Sequence, residues 1–115
     1  MSREFDLERR TTEFAKAVIN ICKVIPRNPI NDRLVGQLVG ASGSVGANYR
    51  EANDSLGKKD FIHRLKISRR EAKESLHWLE CVLEANKNKE TDIAPLMKEA
   101  GELKNILSSI ILKSE

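Results

Sequence analysis

The stretch GQLVGASGSVGANY, residues 36–49, holds four glycines, Gly36, Gly40, Gly43 and Gly46, within a run whose apolar residues recur at helical spacing. Turned at about 100° per residue, it separates into faces. Leu34, Leu38, Ala41, Val45, Asn48 and Ala52 make a heptad-spaced core stripe. Gly36, Gly40, Gly43 and Ala47 lie on nearly the opposite side, and Val35, Val39, Ser42, Gly46 and Tyr49 fill an adjoining one. Only Gln37, Ser44 and Glu51, at seven-residue intervals, form a plainly polar band. A helix that is small or apolar around most of its circumference expects cover on more than one side. Each Gly costs about 1 kcal/mol relative to Ala in a helix interior, so four forfeit roughly 4 kcal/mol unless another backbone approaches closely. The stripe Gly36, Gly40, Gly43 and Ala47 is therefore read as a subunit-packing surface of a homo-oligomer. The alternatives are close packing inside one bundle, or a kink. A phosphate-cradling loop does not fit, since no strand precedes the glycines and no G-x-x-x-x-G-K-[ST] is present.

Outward from this helix, Phe14, Val18, Ile21 and Ile25, extended back through Thr11 to Leu7, predict a first helix over residues 6–25, stopped by Pro26. Residues 26–29 read as a connector, and Asn31 or Asp32 as the cap of a second helix over 31–55. After Gly57, the series Phe61, Leu65, Ser68, Ala72, Leu76, Leu79 and Leu83 carries a third helix to Asn86. A polar loop over 86–89 follows. Thr91 or Asp92 is a candidate cap for a fourth helix bearing Leu96, Ala100, Leu103, Leu107 and Ile110. Short loops make neighbouring helices antiparallel, so the expected fold is an all-α, up-down-up-down four-helix bundle. A chain of 115 residues suits a single domain over 1–115, and 4% aromatic with 32% charged residues favours helices over a sandwich or barrel.

The net charge of +3 is unevenly placed. Residues 57–73 carry seven basic and two acidic side chains, whereas residues 74–115 carry five and eight. On the third helix Lys58, Lys59, Lys66, Arg69, Arg70 and Lys73 fall in one arc of about 120°, with Ile62 the only apolar residue among them. Six cations over about 22 Å match a nucleic-acid backbone, which Lys and Arg neutralise with release of counterions. A solvated face is the bland counterpart. Base-stacking aromatics are nearly absent from the stripe, and Trp78 projects onto another face with Ile67 and Val82, so backbone binding to RNA or DNA is expected rather than base reading.

For an enzyme the sequence offers little. His63 and His77 stand 14 residues apart without metal-pair spacing, and no nucleophile–base arrangement is implied. Gln37, Ser44, Asn48, Glu51 and Glu74 are expected to be structural hydrogen-bonders. Asn48, in the core stripe, is expected to be buried and bonded to backbone or to a side chain such as Glu74. No metal, cofactor or catalytic residue is expected. Cys22 and Cys81, far apart and within apolar helices, suit a reducing cytoplasm, and no run of about 18 apolar residues or export signal occurs. The opposing non-enzymatic class is a protein-binding adaptor or scaffold without nucleic acid.

Across nearly its whole length the chain resembles the four-helix-bundle family of proteins encoded in intervening sequences of large-subunit ribosomal RNA genes, related to the accessory variability determinant of diversity-generating retroelements. The telling residues run from Gln37 through Ser44, then Gly46-Ala47-Asn48-Tyr49-Arg50 and Glu51, Asp60-Phe61-Ile62, Leu65, Ile67, Glu74 and Trp78-Leu79-Glu80. The resemblance implies a homo-oligomeric ring, typically a pentamer around a central channel. In the retroelement branch it also implies a basic surface that binds nucleic acid and a reverse transcriptase. Gly40 departs from the pattern, since many relatives carry a charged or bulkier residue there.

Overall fold

A computed structural model describes residues 6–115. It contains four helices, α1 (Leu7–Cys22), α2 (Pro29–Asn53), α3 (Lys58–Ala85) and α4 (Glu90–Ser114), with a 3-10 turn at Lys87–Lys89 leading into α4. Each helix packs on its two neighbours, most extensively α2 on α3 and least α1 on α4, which is the antiparallel bundle expected from the loops. The 28 residues of α3 span about 42 Å at 1.5 Å rise, which accounts for the 44 Å long axis.

Helix ends differ from the sequence reading where local chemistry overrides periodicity. In α1 the last turn tightens, with Val24 N–H donating to Ile21 O and Ile25 N–H to Cys22 O, so the regular helix stops at Cys22 and not at Ile25. Helix α2 begins at Pro29, two residues earlier than expected. Asn28 is the cap, its Oδ1 accepting from Asn31 N–H at 2.8 Å, and Pro29 takes the first helical position, where its missing N–H has no partner to lose. Neither Thr91 nor Asp92 caps α4; the 3-10 turn feeds it directly and no side chain bonds its first amides.

The core is built from Phe14 and Val18 of α1, Leu38 and Val45 of α2, Leu65, Leu79 and Val82 of α3, and Ile93, Leu103 and Leu107 of α4. Several of the residues that α2 and α3 bury are small, Ala41, Ser42 and Ala52 on the first and Ser68, Ala72 and Ser75 on the second. Short side chains let these two backbones approach, and Ser68 Oγ donates to Val45 O at 2.7 Å across the seam. That bond also fixes the level at which the helices pass.

At one end of the bundle Asn31 and Asn86 form a reciprocal buried amide pair, Asn31 Nδ2 donating to Asn86 Oδ1 at 3.1 Å and Asn86 Nδ2 to Asn31 Oδ1 at 3.0 Å. Each Nδ2 also donates to a carbonyl, Asn31 to Pro26 O and Asn86 to Val82 O, both at 2.9 Å. The sequence reading assigned these residues to a cap and a polar loop. Together they instead tie the α1–α2 connection to the end of α3. Ion pairs fasten α1 from both sides. Arg10 makes a two-pronged contact to Glu99 at 2.7 and 2.8 Å and a third bond to Glu102, while Arg50 reaches Glu8 at 3.1 Å.

Candidate nucleic-acid interface

The outer face of α3 is free to carry charge because its inner face is buried in the core. With Leu65, Ser68, Ala72, Ser75 and Leu79 buried, the helical period sends Lys59, Lys66, Arg70 and Lys73 outward, all four exposed, and leaves Arg69 half-buried at the edge. Lys66, Arg69, Arg70 and Lys73 line one open cleft of about 440 Å³. Lys58 and Lys59 stand at the start of the helix, outside that cleft; Lys58 lines a separate concavity with Leu56, Phe61 and Lys113. The arc therefore divides into a cleft of four cations and an end group of two.

Few carboxylates neutralise it. Lys66 Nζ lies 3.6 Å from Glu115 and Arg70 3.8 Å from Glu71, long contacts at exposed cations that are worth little in water. Among the described residues Lys58, Lys59, Arg69 and Lys73 have no ion-pair partner. Glu74 joins the cleft lining, and its neighbour Glu71 is mostly covered. Burial holds the Glu71 carboxyl above the usual carboxylate range, with the charge and hydrogen bond of Glu74 adding to the effect and Arg70 opposing it.

The remaining walls are His77 and Trp78 of α3 and Gln37 of α2. The His77 and Trp78 rings meet edge to face, centroids 4.8 Å apart at 68°. Helical projection had set Trp78 on a different face from the cations; in space the long Lys and Arg side chains and the half-buried indole border the same hollow. This is the feature the sequence reading missed.

The profile of the family described as 23S rRNA-intervening sequence protein matches residues 3–109. The chain belongs to that family. Among solved structures it is similar to a Bacteroides thetaiotaomicron protein of unknown function from the S23 ribosomal protein family, with 28% identity over 91% of this chain and 97% of that one, at a TM-score of 0.79. No curated protein matches it. The resemblance to the ribosomal RNA intervening-sequence family read from residues 37–80 is thus correct, and the four-helix fold with it.

Of the polar residues set apart as structural, only Gln37 and Glu74 border the cleft; Ser44 and Asn48 are half-buried further along α2 and Glu51 is exposed. Asn48 is not in the core, and its Nδ2 donates to Ser44 O, one turn back on its own helix, at 2.9 Å. It does not pair with Glu74, and the antiparallel register explains why. Since Ser68 is level with Val45, Asn48 passes near Leu65, while Glu74 lies about 9 Å along the axis from Ser68 in the opposite direction.

The glycines also divide. Gly36, Gly40, Gly43 and Ala47 are exposed, and a Cβ added at any of the three glycines would meet nothing within 4 Å. Gly46 faces inward, where a Cβ would fall 2.9 Å from Thr11 Oγ1 and 3.2 Å from Thr11 Cβ. Among the described residues no three His, Cys, Asp or Glu side chains gather to hold a metal ion, and the polar contact of His77 Nε2 is to Cys81 Sγ, at 3.8 Å. No helix of the described chain is long and apolar enough to cross a membrane.

Proposed function

We propose that this member of the 23S rRNA-intervening sequence protein family is a non-enzymatic, homo-oligomeric accessory protein that binds nucleic acid, with RNA the first candidate, through the outer face of α3. The observation that carries this reading is the cleft in which Lys66, Arg69, Arg70 and Lys73 converge with only weak ion pairing. Convergent, under-neutralised cations suit a polyanion better than they serve folding, because exposed like charges on one helix face repel. The oligomer is supported by the open glycine face of α2, where Gly36, Gly40 and Gly43 have no internal contact to offset their cost to the helix. Repetition of the cleft around a ring would multiply its field. A ring of five rests on the family resemblance and a reverse-transcriptase partner on its retroelement branch; the mass of the protein in solution tests the first, and co-purification with such an enzyme tests the second.

The deciding experiment is a salt series with unrelated RNA and DNA sequences. Affinity should fall by about 0.7 to 0.9 log units per tenfold rise in salt for each phosphate neutralised, with little dependence on sequence. The variant Lys66→Gln/Arg70→Gln/Lys73→Gln, at three exposed positions, should keep its helical circular dichroism and lose both affinity and salt slope. Equal binding by that variant, or none by the wild type at 50 mM salt, would make the adaptor reading the better one.

A further inference from the structure

A surface meant only for backbone phosphate needs cations and no aromatic wall. The α3 cleft has both, and they are not mixed. Lys66, Arg69, Arg70 and Lys73 lie in its first two turns; Glu74, His77 and Trp78 close the other end, with the amide of Gln37 at the edge. The negative Glu74 disfavours phosphate at the aromatic end and can accept from a base amino group. Gln37 offers a donor and an acceptor to a base edge. The half-buried Trp78, braced edge-to-face by His77, presents rigid apolar ring surface. At about 440 Å³ the hollow lies within the range of sites that hold a small heterocyclic ligand.

We propose that this cleft takes one unpaired nucleotide of a single-stranded nucleic acid, its base lodged against Trp78 and His77 beside Gln37 and its flanking phosphates on Arg70, Lys73, Lys66 and Arg69. The assignment rests on the nucleic-acid reading above and narrows it, because bases stacked inside a duplex cannot enter. It revises the expectation of pure backbone binding, which followed from the absence of aromatics within the basic stripe itself.

Trp78 is the only tryptophan in the chain, so its fluorescence reports on the site. The full-length protein is titrated at 50 mM salt with an unstructured RNA decamer, a blunt duplex of equal length, an abasic ribose-phosphate decamer and adenosine monophosphate, with binding followed separately by anisotropy of labelled polymers. The single strand should quench Trp78 and bind about tenfold more tightly than the duplex or abasic chain, neither of which should quench. Trp78→Leu should lose about that tenfold for the single strand while keeping its duplex affinity. Gln37→Ala, at an exposed position that leaves the core intact, should lower single-strand affinity severalfold and likewise spare the duplex. If all polymers bind alike with unchanged Trp78 emission, the cleft assignment fails and the charge reading survives. Quenching by adenosine monophosphate at equal nucleotide concentration would overturn the polymer in favour of a free nucleotide. Failure of every polymer to bind removes both readings.

Discussion

Helix α2 carries glycine on two faces that do opposite things. Gly46 is closed in, with Thr11 of α1 pressed against the place a side chain would occupy, and its neighbours Ser42, Val45 and Tyr49 are buried. Gly36, Gly40 and Gly43, one face away, look onto open space. The same residue type at helical spacing thus reports close packing inside one chain in the first case and an unfilled surface in the second. What separates them is the partner helix, since a glycine is needed only where a backbone or a β-branched side chain arrives.

Gly46→Leu should break the inner face with the largest effect. Thr11 is fully buried, and its hydroxyl already donates to Leu7 O at 2.9 Å, so it cannot yield without losing that bond. Overpacking there should cost about 3 kcal/mol in denaturant unfolding. An unchanged midpoint would show that α1 slides aside freely. Second in size is the Asn31–Asn86 pair. Asn86→Ala leaves Asn31 Oδ1 buried without a donor and should cost about 2 kcal/mol, and Asn31→Ala/Asn86→Ala together should cost less than the sum of the two single changes. Additive losses would mean that the two amides act separately.

The outer face reverses the sign. Gly40→Ala adds a methyl group to empty space and should stabilise the folded chain by about 1 kcal/mol through helix propensity alone. Gly40→Leu or Gly43→Leu sharpens the comparison, because a second copy seated on this face would be pushed off and the mass of the folded protein by light scattering would fall. If both leucine variants are folded and unchanged in mass, the glycines face solvent and the subunit contact lies elsewhere.

The fold was legible because apolar period, proline and glycine breaks and short loops all agree, each acting within a few residues. Where chemistry reached across the chain the reading failed. Asn31 resembles a cap by position, yet its partner is Asn86, brought to it by the packing of α2 on α3. Asn48 fits the heptad stripe, but a half-buried amide one turn from Ser44 O finds a nearer acceptor than any on α3. The basic arc was legible in full as a projection. Its division into a cleft and an end group was not, nor was its meeting with Trp78, because projection treats side chains as points on a circle and ignores how far Lys and Arg reach.

The smallest expected effect lies on the border between the buried seam and the open cleft, at Glu71. Its carboxyl is mostly covered, and desolvation together with Glu74 raises it above its ordinary range. A carboxyl whose folded value exceeds its unfolded one binds more protons when folded, so stability declines as pH rises from the unfolded value, near 4.5, through the folded one. Below that window both states are protonated and the penalty is absent; above it the penalty is complete. Glu71→Gln should therefore raise the urea midpoint at pH 7 modestly and leave it unaltered near pH 4, while removing one negative charge beside Arg70 should tighten RNA binding at pH 7. A midpoint shift of equal size at both pH values would assign the change to packing of the amide, and a loss of RNA affinity would mean that Glu71 positions Arg70 instead of opposing the phosphate.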